Sequence, residues 1–327
     1  MEFFLDYAAF AAKVTTVILL VVGAILLVVV VSARTRQTAG EALTIKRIND
    51  RIESLADTVR AASMPEKALK KYRKARKKAA KAATDDKERP RLFLLRFDGD
   101  IRASQVSQLR EEISAVISAA EPTDEVVLCL ESGGGMVHGY GLAASQLARL
   151  RDANLKLTVC IDKVAASGGY MMACVADRVR AAPFAIIGSI GVVMQLPNFN
   201  RLLKENHIDF EMVTAGKYKR TLTMFGENSP EGREKVQAEL EQTHVLFKDF
   251  IQTFRPGIAL EQVATGEHWF GSKALELGLV DELGTSDDFL LDAAADRDIF
   301  EISFKTKKPI TERLLERGTD SLLRLFA

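Results

Sequence analysis

The hydrophobic pattern of the chain begins with a long uncharged run. Residues 14–33, VTTVILLVVGAILLVVVVSA, contain no charged side chain, and at about 1.5 Å per residue such a helix matches the hydrocarbon thickness of a bilayer. The run is longer than the apolar part of a cleaved signal peptide, which is the alternative interpretation. We therefore predict an N-terminal transmembrane anchor within residues 1–36. One basic residue precedes the run and four follow within residues 34–47, an asymmetry that favours a cytoplasmic location for the rest of the chain.

Residues 37–90 form a second region with two patterns. Apolar residues from Leu43 to Val59 recur at steps of three and four, which predicts a juxtamembrane helix. Residues 66–91 then carry twelve Lys or Arg against four acidic residues. This stretch is typical of a solvated helix or linker, and it is also suited to anionic lipid headgroups.

From residue 91 the pattern alternates between strands and helices. RLFLLRFDGDI, EVVLCLES and LKLTVCID are apolar strand patterns, and an amphipathic or small-residue helical pattern follows each of them. This order predicts an α/β domain with mainly parallel strands over residues 91–300. Residues 301–327 form a C-terminal amphipathic segment that suits packing on the domain, on a neighbouring chain or on a membrane.

Two predicted strand ends carry glycine-rich turns. CLESGGGMVHGYG and CIDKVAASGGYMMA each lead from a strand into a helix, and ligands collect at the carboxyl ends of parallel strands. Backbone N–H groups there could form an oxyanion hole beside Ser167. Ser167 is either a packing residue at a tight turn or a nucleophile. The chain contains neither a GxxxxGK[ST] phosphate-binding motif nor the GxSxG motif of α/β-hydrolases.

A nucleophilic serine needs a base to accept its proton. The four histidines are scattered, whereas TAGKYKRTLTMF places Lys217 and Lys219 in one turn. A lysine can act as the base if burial lowers its pKa; the alternative is a basic surface turn. The net charge of +1 gives no case for nucleic acid, and the three cysteines lie in apolar runs without metal-ligand spacing. We expect buried thiols, no metal and no cofactor.

Five ordered stretches together resemble one family. ESGGGMVHGYGLAASQL, DKVAASGGYMMACVAD, APFAIIGSIGVV, TAGKYKRTLT and GEHWFGSKALELGLVDELG are similar to the S49 family of membrane serine proteases, the signal peptide peptidase A group. The resemblance covers about residues 1–290. It implies a ClpP/crotonase-like α/β fold with an N-terminal transmembrane helix and a Ser/Lys catalytic dyad.

The resemblance assigns a role to three side chains. Ser167 matches the serine of the family's ASGGY motif and is the implied nucleophile. Lys219 matches the lysine of its GxxK motif and is the implied general base, while Lys217 falls on a variable position. Ser189 matches a serine that orients the lysine ammonium.

The implied oxyanion hole comes from backbone N–H groups. Gly134 and Gly135 match the two glycines of the family's SPGG turn, and Gly168 follows the nucleophile. Gly133 stands where the family usually has proline, a departure that loosens the loop without removing a donor.

The function expected from the resemblance is that of a serine endopeptidase in the bacterial inner membrane, single-pass and without cofactors. The side of the membrane stays open: the flanking charges favour the cytoplasm, whereas the clearing of signal peptides that the family implies is often placed on the outer face. It would cleave signal-peptide remnants or other membrane-derived peptides through an acyl-enzyme. Its expected partners are peptide substrates, membrane lipid and copies of itself in a ring that shares serine and lysine between protomers. Two alternatives remain: a non-catalytic membrane scaffold that binds peptides, and an acyl-CoA enzyme of the same fold.

Overall fold

The computed structural model describes residues 42–83 and 89–305, together with 13–16, 19–20 and 23. The anchor predicted over residues 14–33 therefore lies mostly outside the described residues. Among the residues that are described, no helix is both long enough and apolar enough to cross a membrane. The C-terminal segment is described only to residue 305.

Before the α/β domain, residues 42–83 form one strand and two helices. They are β1 (Ala42–Arg47), α1 (Ile48–Ser63) and α2 (Glu66–Ala83). The helix predicted from the spacing after residue 37 is wrong for residues 42–47, because ALTIKR also alternates with a period of two and contains β-branched side chains that favour a strand. The two helices are joined by ion pairs from the Arg76 guanidinium to the carboxylates of Glu53 and Asp57.

A buried asparagine attaches α1 to the last strand. The Asn49 side chain is 5% exposed. Its Nδ2 donates to the carbonyl of Arg297 at 2.9 Å, and its Oδ1 accepts from the N–H of Ile299 at 2.8 Å. Residues Ile45–Ser303 accordingly form one compact unit.

The α/β domain follows the predicted alternation. Its strands are β2 (Arg91–Gly99), β3 (Glu125–Ser132), β4 (Lys156–Ile161), β5 (Val164–Ala166), β6 (Arg178–Ala181), β7 (Ile186–Gly188), β8 (His268–Phe270), β9 (Glu282–Leu283) and β10 (Asp298–Lys305). Its helices are α3 (Val106–Ala119), α4 (Val137–Asp152), α5 (Gly168–Ala173), α6 (Asn200–Glu205), α7 (Pro230–Phe254), α8 (Leu260–Val263), α9 (Gly271–Glu276) and α10 (Ser286–Ala293).

The sheet is parallel along its main path, as predicted. Strands β10, β2, β3, β4, β6 and β9 are neighbours in that order. The short β5 branches from the end of β3, pairs with β7, and β7 pairs antiparallel with β8. Because Ser132 at the end of β3 is the register partner of Ala165 in β5, the two glycine turns start side by side.

Hydrophobic side chains cover both faces of this sheet. The larger cluster packs α3, α4 and α5 on one face, and a smaller cluster that includes Ile48 and Leu290 packs on the other. All three cysteines are free thiols; Cys160 and Cys174 are buried and Cys129 is partly buried. The expectation of buried thiols is thus confirmed for two of the three.

One stretch of the domain packs very little. Residues 192–228, which we call the arm, contain only the short α6, and most of their side chains are exposed. Val193 and Val213 are 77% and 97% exposed. Within the arm, the rings of Phe199 and Phe210 both contact that of Phe225.

Candidate active site

Ser167 occupies a strained turn between a strand and a helix. Its backbone angles are φ 52° and ψ −117°, at the junction of β5 and α5. The Ser167 N–H donates to the carbonyl of Gly188 at 2.7 Å, and its carbonyl accepts from the N–H of Met171 at 2.9 Å. A side chain held in this sparsely populated region is typical of a functional position. The turn has the strand–turn–helix form of a nucleophile elbow without its GxSxG sequence.

The glycine loop after β3 lies directly against this turn. Gly134 has φ +84°, and a Cβ added there would lie 2.7 Å from the Gly168 nitrogen and 2.8 Å from the Ser167 Cβ. Only glycine fits such a conformation and so close an approach. The structure therefore brings together Ser167 and the two loops from which an oxyanion hole was expected.

The three expected N–H donors are not equivalent. The Gly134 N–H donates to Oγ of Ser132 at 3.1 Å, so it already has an acceptor. The N–H groups of Gly135 and Gly168 have no hydrogen-bond acceptor among the described residues. Gly168 is the first residue of α5, where the N–H has no acceptor within the helix. Two donors thus remain for a substrate oxygen.

An apolar cavity of about 290 Å³ opens beside these groups. Ser167, Gly135 and Gly168 line one end of it. Most of the remaining lining is apolar, with Ser145 and Thr243 as polar exceptions; the large apolar side chains include Val137, Tyr140, Met171, Leu246, Phe247 and Phe250. Sequence reasoning missed the contribution of α7, because Leu246 and its neighbours lie about eighty positions after Ser167 and no local motif marks them.

The two candidate lysines have different surroundings. Lys217 Nζ lies 2.7 Å from a carboxylate oxygen of Glu231, and the hydrogen bond to Glu231 raises the pKa of Lys217. The Lys219 side chain is exposed, and no hydrogen bond or ion pair involves its Nζ within the described part of the chain. Ser167 Oγ likewise has no partner there. A single chain therefore does not hold Ser167 and Lys219 in hydrogen-bond contact.

Ser189 lies one residue beyond the carbonyl that holds the nucleophile turn. It is partly buried, has φ 52°, and its N–H donates to the carbonyl of Glu267 at 2.6 Å. Its position next to Gly188 keeps it close to Ser167 along the backbone. The structure shows no contact between the Ser189 side chain and Lys219.

The cysteines, His138 and the metal-ligating side chain types of the described residues do not form a second reactive site. Burial raises the pKa of the Cys174 thiol to about 12 and also raises that of Cys160, so both thiols stay protonated at neutral pH. His138 is exposed. In the ranges 42–83 and 89–305, no group of three or more His, Cys, Asp or Glu side chains is placed to hold a metal ion.

Comparison with known proteins identifies the family. Residues 2–147 match the model of the S49 peptidase family N-terminal region, and residues 149–299 match that of peptidase family S49. The chain belongs to peptidase family S49. "Probable protease SohB" of Buchnera aphidicola is 48% identical over 89% of this chain and 99% of its own length. The protein of the same name from Haemophilus influenzae is 50% identical over 74% of this chain and 69% of its own. These relatives support a peptidase hydrolase.

Solved structures give weaker matches. A mutant of a membrane-bound stomatin-specific protease, in complex with a substrate peptide, covers 63% of this chain and 80% of its own length with 12% identity and a TM-score of 0.38. An enoyl-CoA hydratase from Mycobacterium avium paratuberculosis covers 62% of this chain and 68% of its own with 18% identity and a TM-score of 0.35. Similarity at this level supports no conclusion about mechanism.

Proposed function

We propose that the chain is a membrane-anchored serine endopeptidase of ClpP/crotonase-like fold that uses a Ser167/Lys219 dyad. The observation that carries the proposal is the strained turn of Ser167, with the unpaired N–H of Gly168 on one side and the Gly134–Gly135 loop on the other. A packing serine needs neither a positive φ nor adjacent N–H groups without acceptors.

The chemistry follows from these groups. Oγ of Ser167 attacks the peptide carbonyl carbon while neutral Lys219 Nζ accepts the hydroxyl proton, and the carbonyl electrons move to the oxygen. The N–H groups of Gly135 and Gly168 stabilise this oxyanion. The C–N bond breaks as Lys219 returns the proton to the leaving amine, and water then hydrolyses the acyl-enzyme by the same route. Ser189 orients the lysine.

The dyad is proposed to form between neighbouring chains of a homo-oligomeric ring. Lys219 lies in the exposed arm, and its Nζ has no partner among the described residues. The arm also carries apolar side chains such as Val213, which is 97% exposed. Clustered apolar side chains that are exposed to this degree are typical of a protein–protein interface. Packing of the arm on a neighbouring chain would bury Lys219 and favour its neutral form.

The cavity indicates the substrate class. Its lining of Tyr140, Met171 and Phe247, among others, suits an apolar side chain placed next to the scissile bond. Peptides derived from membrane segments or signal peptides supply such side chains.

Anchoring in the bacterial inner membrane rests on the uncharged run at residues 14–33. Helix α2 supports contact with anionic lipid, because it exposes four basic side chains that have no ion-pair partner within the described part of the chain: Lys67, Lys71, Arg73 and Lys74.

The lipid contact can be tested with the full chain reconstituted in vesicles and carrying a spin label at residue 71. Immobilisation of the label only with anionic lipid is expected; equal mobility in neutral vesicles contradicts the lipid contact.

The test of the dyad is labelling of the purified full chain by a fluorophosphonate. Wild type is expected to react, whereas Ser167→Ala and Lys219→Ala are not, with all three folded and equally oligomeric. An unreactive wild type in its intact assembly would instead favour a peptide-binding scaffold. Reaction that persists in Ser167→Ala would place the nucleophile elsewhere.

A further inference from the structure

Tyr140 lies beneath both halves of the proposed oxyanion hole. It belongs to the first turn of α4 and is completely buried. A Cβ added at Gly168 would lie 2.3 Å from Cγ of the Tyr140 ring, so the Gly168 backbone rests directly on that ring. Tyr140 also lines the apolar cavity.

The hydroxyl of Tyr140 reaches the other half through Ser132. Tyr140 Oη donates to the carbonyl of Asp100 at 2.7 Å and lies 2.6 Å from Ser132 Oγ. A tyrosine hydroxyl has one proton, so the Ser132 hydroxyl must be the donor between the two. Ser132 Oγ in turn accepts from the Gly134 N–H at 3.1 Å.

These bonds form one directional chain, in which each group donates once. It runs from the Gly134 N–H through Ser132 and Tyr140 to the carbonyl of Asp100. Ser132 is 2% exposed, and burial raises the pKa of Tyr140, so the chain stays protonated and is shielded from water. Buried polar groups that satisfy one another in this way hold a single geometry.

The glycine loop makes few other hydrogen bonds among the described residues. The Met136 N–H donates to the carbonyl of Ile101 at 2.8 Å, which fixes the far end of the loop. The near end depends on the bond from Gly134 to Ser132. Loss of that bond would leave the near end held only by its packing against Ser167 and Gly168, and we expect the orientation of the Gly135 N–H relative to the Gly168 N–H to loosen.

We propose that Tyr140, acting through Ser132, is the positioning residue of the oxyanion hole. The contact of its ring with the Gly168 backbone fixes the position of the Gly168 N–H. Its hydroxyl, through Ser132, fixes the conformation of the Gly133–Gly135 loop, so that the N–H groups of Gly135 and Gly168 face one oxygen. The Gly134 N–H then donates a structural hydrogen bond to Ser132 and does not bind the oxyanion. This inference rests on the proposed serine peptidase function.

The test compares Tyr140→Phe and Ser132→Ala with a matched control, Tyr170→Phe. Tyr170 is also fully buried and its hydroxyl donates to a backbone carbonyl, that of Leu279, at 3.0 Å. It does not line the cavity. Tyr170→Phe therefore loses a comparable buried hydrogen bond that lies outside the chain from Gly134 to Asp100.

The readouts are the rate of fluorophosphonate labelling, kcat and KM for a peptide substrate, and the affinity for a peptide aldehyde, whose adduct carries an oxyanion. In Tyr140→Phe and Ser132→Ala, misplaced donors should lower kcat and aldehyde affinity together by about ten- to a hundred-fold, with little change in KM. Tyr170→Phe should retain wild-type values for all three.

The outcomes separate the two proposals. A wild type that is not labelled overturns the serine peptidase function itself. A labelled wild type whose two variants keep aldehyde affinity and kcat overturns only the role of Tyr140, as does an equal loss in Tyr170→Phe. If Tyr140→Phe does not fold, Ser132→Ala carries the test alone, because it breaks the same chain with a smaller change.

Discussion

The ammonium of Lys217 lies 2.7 Å from the carboxylate of Glu231, in the first turn of α7. Its Nζ also lies 5.1 Å from the centroid of the Tyr218 ring. The hydrogen bond to Glu231, followed by that to Tyr218, raises the pKa of Lys217, so this lysine stays protonated at neutral pH. Lys219 has no such partner in the described part of the chain, and the two lysines of one turn are therefore suited to different roles.

Replacing the two lysines separately tests this distinction. Lys217→Met should keep fluorophosphonate labelling within about two-fold, because a permanently protonated lysine accepts no proton. Lys219→Met should lower the labelling rate by about 10²- to 10⁴-fold, the usual contribution of a general base. Circular dichroism of both variants controls for folding. The reverse pattern would make Lys217 the base and refute the assignment.

Mixing variants tests whether the dyad forms between chains. Ser167→Ala and Lys219→Ala are each expected to be inactive, yet a co-assembled mixture should recover activity at about a quarter of its interfaces, where an intact serine meets an intact lysine. Peptidase activity and labelling are measured after the subunits are dissociated and reassembled together. If both residues act within one chain, the mixture stays inactive.

Gly134→Ala should disable the site without unfolding the domain. The added Cβ would overlap the Gly168 nitrogen and the Ser167 Cβ at under 3 Å, and the backbone has φ +84°. A shift of the turn by about 1 Å should lower the labelling rate by about 10²-fold. Gly257→Ala is the control, since a Cβ there meets no atom within 4 Å and its φ lies outside the range that needs glycine. Equal loss in both variants would mean a general effect on folding.

The core of the fold could be predicted from the sequence because its signals are local. EVVLCLES forms β3 with the predicted bounds, and the small apolar residues after Ser167 form α5. Parallel strands then place both glycine turns at one edge, as the register of Ser132 with Ala165 shows. The candidate nucleophile and its flanking glycines follow from this local pattern together with the family motifs.

Contacts between distant residues could not be predicted in the same way. The role of Ser132 as acceptor for Gly134 depends on Tyr140, and the pairing of Lys217 depends on where α7 begins. The cavity wall supplied by Phe247 likewise depends on the path of the chain after the arm. One signal was available for Tyr140, since it stands between two glycines in GYG, where small neighbours allow close packing.

Gly141→Leu should change the preferred substrate. Gly141 lines the cavity within α4, and a Cβ at this position meets no atom within 4 Å, so a larger side chain grows into the cavity and favours the helix. We expect kcat/KM for peptides with Leu before the scissile bond to fall by about ten-fold or more, with little change for Ala. Gly141→Ala should give a smaller change of the same kind. An equal change for both peptides would place that side chain elsewhere.

The buried carboxylate of Asp124 should make the domain sensitive to acid. Its side chain is 1% exposed and accepts hydrogen bonds from Arg91 Nη2 at 2.6 Å and from the Glu121 N–H at 2.7 Å. Burial opposes ionisation, but the hydrogen bonds from Arg91 and Glu121 outweigh it and lower the pKa of Asp124 below 3.8. Because the folded pKa is lowered, the stabilisation is fully present above the ordinary pKa and is lost as the pH falls below it through the folded pKa.

Asp124→Asn isolates this contribution. At neutral pH the variant should lose about 1–3 kcal/mol of unfolding free energy, because Arg91 loses the buried carboxylate that it contacts at 2.6 Å. Below about pH 4 the difference from wild type should shrink, since protonation removes the same charge from the wild-type side chain. Urea unfolding at several pH values measures both effects.

Glu121→Gln is the control, because that carboxylate lies 3.5 Å from the same guanidinium but is 64% exposed. Screening by water makes its contribution to the unfolding free energy small. A difference between wild type and Asp124→Asn that stays constant as the pH falls would show that the lost interaction does not depend on the charge of Asp124.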